Sequence, residues 1–484
     1  YMTHGGTSFG HWAGANFPRY APTCTTYDYD APIGEAGNTT EKYYLIRDLL
    51  KGYLPEGETL IETPEPIKAI SIPKFKMDNI APLFQNLPKA NYSENVKSME
   101  FFDQGWGTRV YRTELKDSKE RQSLYLSDAR DWTQVFINGE KVGTISRQKD
   151  ENNIMIPPVK DGDVLDIVVE AMGRVNFGRG IYDYKGLSGS VELKTAGKTQ
   201  NLKNWEIFNI PVDYTFVKNC EYKKDAKVNN QPAFYKGTFN LTETGDTYLN
   251  MSEWSKGLVW VNGYCLGRFW EVGPQQTLYL PGCWLKKGEN EVIVFDVGTP
   301  ATTDLEALNS PILDVVKGIE IKTHRKEGET LDLTKEKPYQ SGTFKAGNGW
   351  QHLQFNKPTK ARYICIESLN THGGDDYAAI AELEVLGKDK KPMSRDNWKI
   401  VYADSEEVNS ANNNATKVFD LQESTYWHTS YSRKKPKHPH QIVIDLGEEV
   451  TVSGFSYLPR AEENKPGMIK DYNVYVKKDM FTIR

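Results

Sequence analysis

The segment Tyr27-Asp28-Tyr29-Asp30-Ala31-Pro32 alternates two tyrosines with two aspartates. In extended backbone, successive side chains point to opposite faces. The spacing therefore predicts both tyrosines on one face and both aspartates on the other. A tyrosine face suits a sugar ring, because it offers an apolar plate and a hydroxyl together. An ordinary loop with a capping aspartate is the plainer reading, and composition alone favours it. The five cysteines, Cys24, Cys220, Cys265, Cys283 and Cys365, are widely spaced and form no CxxC pair. Neither a disulfide framework nor a zinc site is indicated, and cysteine usage leaves the compartment open.

Charge narrows the partners. A net charge of −5 and a pI near 6.0 give no electrostatic reason to bind nucleic acid or an anionic membrane. The basic run Arg433-Lys434-Lys435-Pro436-Lys437 reads as a solvated loop, since acidic residues balance it elsewhere. No run of about 18 apolar residues occurs, so no membrane span is expected. The sequence opens at Tyr1 inside a motif, so any signal peptide is expected upstream.

The elements that must position the tyrosines come next. Asn38 followed three positions later by Glu41 resembles a capping box. Leu45, Ile46, Leu49 and Leu50 form a helical stripe, Gly52 is a plausible stop, and Pro55 prevents continuation. A single strand-loop-helix unit cannot bury that stripe by itself and needs a larger α/β body.

At 484 residues the chain is expected to hold about three domains. Its 27 Tyr and 11 Trp favour strand-rich structure, and its 39 Gly and 24 Pro suit short strands joined by turns. An internal repeat supports this. Val135-Phe136-Ile137-Asn138-Gly139 recurs 124 residues later as Val259-Trp260-Val261-Asn262-Gly263, and Ile167-Val168-Val169 recurs as Val292-Ile293-Val294. Asn-Gly after a β-branched and aromatic run marks a hairpin. The fold class is therefore mostly β: a strand-loop-helix unit of a larger α/β body over 1–65, sandwiches over 66–205 and 206–310, a linker over 311–340, and a β-rich module over 341–484.

Tyr1-Met2 with His4-Gly5-Gly6-Thr7, Gly14-Ala15-Asn16, Tyr27-Asp28-Tyr29-Asp30-Ala31-Pro32, Glu35-Ala36-Gly37 and Thr40-Glu41-Lys42-Tyr43 closely resembles the end of the catalytic (β/α)8 barrel of glycoside hydrolase family 35, the β-galactosidases. The family pattern has Asn at Ser8 and Ser at Gly34, neither of which affects the tyrosines. The resemblance implies that Tyr1 and Tyr29 contact a terminal galactose, with Tyr27 beside them. It also implies retaining hydrolysis by two glutamates about 5–5.5 Å apart, both expected on barrel strands upstream. No catalytic residue is assigned in this chain. Glu35 and Glu41 are expected as loop and capping-box residues, and Asp28 and Asp30 as scaffolding.

Gly173-Arg174-Val175-Asn176-Phe177-Gly178 and Leu266-Gly267-Arg268 resemble the family's accessory sandwiches, whose fold is similar to galactose-binding domains and whose expected role is to brace the barrel. The last region resembles the discoidin, or F5/8 type C, jelly roll. Phe419-Asp420, Thr425-Tyr426-Trp427-His428-Thr429 and Tyr457-Leu458-Pro459-Arg460 are similar to its first half, whereas Ala378-Ala379-Ile380-Ala381-Glu382-Leu383 is similar to its second half and comes earlier. Two partial modules or one circularly permuted module would account for this order. The permuted form is expected, because half a sandwich would leave open edges. The resemblance implies a structural calcium held by Glu382, Asp420 and Thr425, with His428 and Arg460 as galactose contacts, and no cofactor for catalysis. It further implies β-galactoside glycans as substrates and a secreted or periplasmic location. A non-catalytic sugar-binding array is the rival reading, and the barrel motif argues against it.

Overall fold

A computed structural model describes residues 2–28, 30–195, 198–315, 318, 321–462 and 466–484. The N-terminal segment contributes one helix, Glu41–Lys51, and two short strands, Gly14–Asn16 and Ala21–Pro22. The helix begins later than the capping box predicts. Thr40 is its N-cap and makes no side-chain cap, because the Thr40 hydroxyl donates to the Pro32 carbonyl at 2.9 Å. The Asn38 carbonyl is instead taken by the Gly34 amide at 2.9 Å. The helix ends as expected, with the Gly52 amide bonded to the Leu49 carbonyl. Its stripe is bare: Leu45 and Leu49 are each 64% exposed.

This segment is stitched onto the neighbouring sandwich. Gly14–Asn16 pairs in parallel with Arg174–Val175, placing Gly14 beside Arg174. The approach is close enough that a Cβ on Gly173 would lie 2.2 Å from the Gly14 carbonyl oxygen. Only glycine fits there.

The two sandwiches share one plan. The first has a six-stranded sheet in the order Asn91–Ser93, Trp205–Ile210, Thr108–Glu114, Val164–Glu170, Trp132–Ile137, Glu140–Ser146. The second has the corresponding order Lys223–Lys224, Asn79–Pro82, Ala233–Leu241, Gly288–Asp296, Lys256–Val261, Tyr264–Trp270. Each faces a four-stranded sheet across its own core. The repeated Asn-Gly pairs turn equivalent hairpins with all four residues at positive φ: 51° and 81° at Asn138-Gly139, 49° and 91° at Asn262-Gly263. That is the backbone a two-residue hairpin of matching twist requires. Even the bulges repeat, at Val135/Phe136 and Val259/Trp260.

The six-stranded sheets also pack against each other. Val110, Phe136, Val168, Phe234, Trp260 and Phe295 form a shared layer between the sandwiches, with Phe234 and Phe295 stacked at 4.4 Å. Fully burying such a side chain stabilises by about 1.5–3 kcal/mol, so the pair forms one braced body. Lys256 pairs with Glu170 across it, both almost fully buried.

The expected boundaries shift accordingly. Residues from 66 do not open the first sandwich, because Ile72–Lys76 pairs with Asp304–Leu308 and Asn79–Pro82 with Ala233–Leu241 in the second. The break near 205 also moves, since Trp205–Ile210 is a strand of the first sandwich, paired with Thr108–Glu114. These strands are short and find partners far along the chain, so local pattern could not allocate them.

From residue 340 onward one core gathers Phe344, Ile364, Leu383, Trp398, Trp427, Ile444, Phe455 and Val474. Its main sheet runs Gln340–Thr343, Asp471–Lys477, Gln351–Ser368, His440–Leu458, Glu382–Leu386, with Lys399–Ala403 also paired to His440–Leu458. The predicted linker is partly absorbed. Leu331–Asp332 pairs with Thr482–Ile483, and Leu331 is buried with Cys365, Tyr402 and Phe481. Among the described residues, no helix is long and apolar enough to cross a membrane.

Candidate carbohydrate sites

Tyr1 and Tyr29 lie outside the described residues. Tyr27 is 50% exposed. The two aspartates do not share a face. Asp28 is buried and accepts from the amides of Ala31 at 3.2 Å and Glu35 at 2.9 Å. Asp30 is exposed, sits at φ 140° and pairs with Lys42. Positive φ at Asp30 breaks the extended backbone that strict alternation requires. The Thr7 hydroxyl donates to Glu35 at 2.6 Å, and burial raises the Glu35 carboxyl above its ordinary range. Asp28 and Glu35 thus hold the loop together, folding Gly5 so closely beneath the tyrosine segment that a Cβ there would lie 2.0 Å from the Tyr27 carbonyl oxygen.

The loop is anchored by a buried charged hub. Lys185 reaches Asp131 at 2.5 Å and Asp183 at 2.9 Å, with all three side chains at 0% exposure. Arg147 bonds both carboxylates at 2.7 Å. Above it sits Tyr20 from the N-terminal segment, its ring 4.1 Å from the Arg147 guanidinium and its hydroxyl donating to the Gly173 carbonyl at 2.6 Å. Arg268 of the second sandwich donates to the carbonyls of His11 and Ala171, both at 3.1 Å. Both sandwiches therefore fix the N-terminal segment that leads into the tyrosine motif.

In the C-terminal module, His428 and Arg460 come together around an aromatic cluster. The His428 ring lies 5.1 Å from that of Tyr431, 5.5 Å from Tyr377 and 6.3 Å from Tyr426. Arg460 stacks over Tyr426 at 4.2 Å and donates to its hydroxyl at 2.8 Å. Burial lowers the His428 pKa, which favours the neutral imidazole with one donor and one acceptor. Glu407 sets the surrounding loops. Its carboxylate accepts from the amides of Asn409, Ser410, Tyr431 and Ser432 at 2.9 Å and from the Ser432 hydroxyl at 2.8 Å. Burial alone would raise its pKa, but these donors pull it down to about 2.

Tyr377, Tyr426 and Tyr431 were not expected as site residues. Tyr426 could have been, since alternation about the buried Trp427 puts positions 426 and 428 on one face. Tyr377 and Tyr431 approach only through tertiary contacts.

Glu382, Asp420 and Thr425 also meet. The Thr425 hydroxyl lies 2.8 and 2.9 Å from the Asp420 oxygens and 3.1 Å from the Gln422 carbonyl. The Gln422 amide donates to both the Glu382 carboxyl at 2.9 Å and the Asp420 carboxyl at 3.0 Å. Burial holds Glu382 well above the ordinary carboxylate range against the pull of Arg395, and Asp420 pushes it the same way. Two abutting buried carboxyls, a hydroxyl and a carbonyl form an all-oxygen donor set of the kind a hard cation takes. No third carboxylate, histidine or cysteine joins them among the described residues, so backbone oxygens would complete the shell. Arg395, unforeseen, pairs with Glu382, and Lys417 lies 3.7 Å from Asp420.

Comparison with known proteins agrees with this architecture. Residues 1–53 match the glycosyl hydrolases family 35 model, 97–211 the β-galactosidase first all-beta domain, 232–290 the β-galactosidase galactose-binding domain, and 401–482 the F5/8 type C domain. The chain is 35% identical over 289 residues to a β-galactosidase of Xanthomonas manihotis, covering 58% of this chain and 46% of that protein. It is 33% identical over 360 residues to the β-galactosidase of Bos taurus, covering 67% and 53%. It is 34% identical over 316 residues to β-galactosidase-1-like protein 2 of Homo sapiens, covering 61% and 47%. The chain thus spans about half the length of these relatives. With the loop, both sandwiches and the terminal module each matched in order, the chain belongs to glycoside hydrolase family 35 and carries an F5/8 type C domain.

Proposed function

We propose that this chain is the part of a retaining exo-β-galactosidase that walls the galactose pocket and braces it, while two glutamates outside these residues perform the chemistry. Tyr29 and Tyr1, with Tyr27 beside them, orient terminal β-D-galactose. The glutamates attack the anomeric carbon and protonate the leaving oxygen. The observation that carries this reading is the use already made of the carboxylates around the tyrosine motif. Asp28 and Glu35 are spent on the loop's own amides and hydroxyl, and Asp30 faces Lys42. Among the described residues, Asp28, Asp30 and Glu35 are all engaged in this way, which leaves none of them free to join the carboxylate pair that retaining hydrolysis needs. In the complete enzyme, Tyr29→Phe should lower kcat/KM by about 3- to 10-fold, the worth of roughly one hydrogen bond, with the melting temperature unchanged. An unaltered rate would make the tyrosine segment purely structural.

For the terminal module we propose one permuted jelly roll with two roles. Glu382, Asp420 and Thr425 would hold a structural calcium, which would take the place of Arg395 at Glu382. His428, Arg460 and Tyr426 would grip galactose, since the flanking rings offer an apolar plate beside polar donors. The continuous core from Phe344 to Val474 supports the single-module reading.

A further inference from the structure

A cavity of about 550 Å³ lies where the first sandwich meets the C-terminal module. One wall carries Lys194 and Lys198; the other carries Trp350, Glu423 and Ser424, with Glu384 and the Glu382–Arg395 pair alongside. The walls are held in register. Gln422 is fully buried at the junction. Its amide donates to the Ser123 hydroxyl at 3.1 Å and its carbonyl accepts from Lys194 at 2.8 Å. Nearby, Arg121 donates to the Asp396 carbonyl at 3.0 Å. The Trp350 ring is fixed too. Its indole N–H donates to Glu423 at 3.1 Å, and the His352 ring lies parallel to it, 6.3 Å away and tilted by only 5°.

We propose that this interdomain cavity binds a neutral oligosaccharide. Its volume falls within the roughly 300–1,000 Å³ of small-molecule sites, and its walls are preformed. A fixed indole offers the plate on which the apolar face of a pyranose stacks. Around it stand three cations, Lys194, Lys198 and Arg395, against three carboxylates, Glu382, Glu384 and Glu423, with threonine and serine hydroxyls between them, so donors and acceptors are both at hand for sugar hydroxyls. The nearly balanced charge favours a neutral ligand over an acidic or a basic one. The site shares no residue with the His428–Arg460 cluster and shares Glu382 with the proposed calcium site; with its walls on two domains, a bound chain would span the junction and favour their docked arrangement.

The test uses the full chain and β-1,4-galactotriose as probe, by titration calorimetry, in a His428→Ala/Arg460→Ala background that also carries Tyr27→Ala and Tyr29→Ala, which disables the other proposed galactose sites. One remaining binding event is expected. Trp350→Ala should weaken it at least tenfold, Lys198→Ala two- to fivefold, and Thr199→Trp, which fills the cavity from an exposed position, should abolish it without disturbing the fold. Absence of binding in that background would overturn the proposal, as would binding indifferent to both Trp350→Ala and Thr199→Trp. Displacement of galactotriose by a lower concentration of trigalacturonate would overturn its neutral-ligand assignment.

Discussion

Replacing Lys185 by Met should destabilise the first sandwich more than any surface change, and the hub shows how much. All three Lys185 donors are engaged: Asp131 at 2.5 Å, Asp183 at 2.9 Å and the Gly173 carbonyl at 3.1 Å. Asp131 would keep Arg147 and the Met172 amide, and Asp183 would keep Arg147 and the Val175 amide. The cluster would nevertheless carry one unbalanced negative charge in the interior. Removing one partner of a buried pair costs about 3–5 kcal/mol. At about 2–4 °C per kcal/mol for a cooperative unit of this size, the calorimetric transition of the sandwiches should fall by roughly 6–20 °C. Lys185→Met/Asp183→Asn restores charge balance and should recover at least half of that loss, a coupling that only interacting sites show. A fall below about 2 °C, or a double variant no better than the single, would refute the hub as a brace. Tyr20 rests on this hub, so Lys185→Met in the complete enzyme should also lower activity through a misplaced tyrosine loop.

Two further outcomes follow from the C-terminal module. Calcium at about 100 times its dissociation constant should stabilise the metal-stripped module by about 2.7 kcal/mol, raising its transition by roughly 5–10 °C in scanning calorimetry. Glu382→Gln should remove that response, and an unmoved wild-type transition would contradict the site. The Glu407 carboxylate has a folded pKa of about 2 against about 4.3 when unfolded. Its stabilisation is therefore complete above about pH 4.3 and lost as pH falls toward 2. Melting curves across that window should flatten in Glu407→Gln, and parallel wild-type and variant profiles would exclude the role.

The parts legible in the sequence were those fixed by local backbone demands. Asn138-Gly139 and Asn262-Gly263 announced their hairpins because few other residues accept two successive positive φ values, and their equal spacing revealed the duplicated sheets. The helix stop at Gly52 was local in the same sense. The Asn38 cap failed because Thr40 and Gly34 competed for the neighbouring backbone groups. The aspartate half of the alternation failed at Asp30, whose positive φ departs from extended backbone, while Tyr29 lies outside the described residues. Membership of Ile72–Lys76 and Asn79–Pro82 in the second sandwich could not be read, since their partners lie more than 140 residues away. Gln422 and Arg395 were equally silent. A lone glutamine or arginine in a loop gains meaning only when folding buries it against a distant hydroxyl or carboxylate.

The central claim is that this chain orients and braces galactose without supplying the catalytic carboxylates. Its most direct test is release of nitrophenol from an aryl β-galactoside by the purified 484-residue chain. The account predicts no release above the uncatalysed background at any pH, because tyrosines position a sugar but neither attack its anomeric carbon nor protonate its leaving group. Measurable turnover abolished by Asp28→Asn or Glu35→Gln would contradict it, for those carboxylates would then be doing chemistry rather than holding the loop.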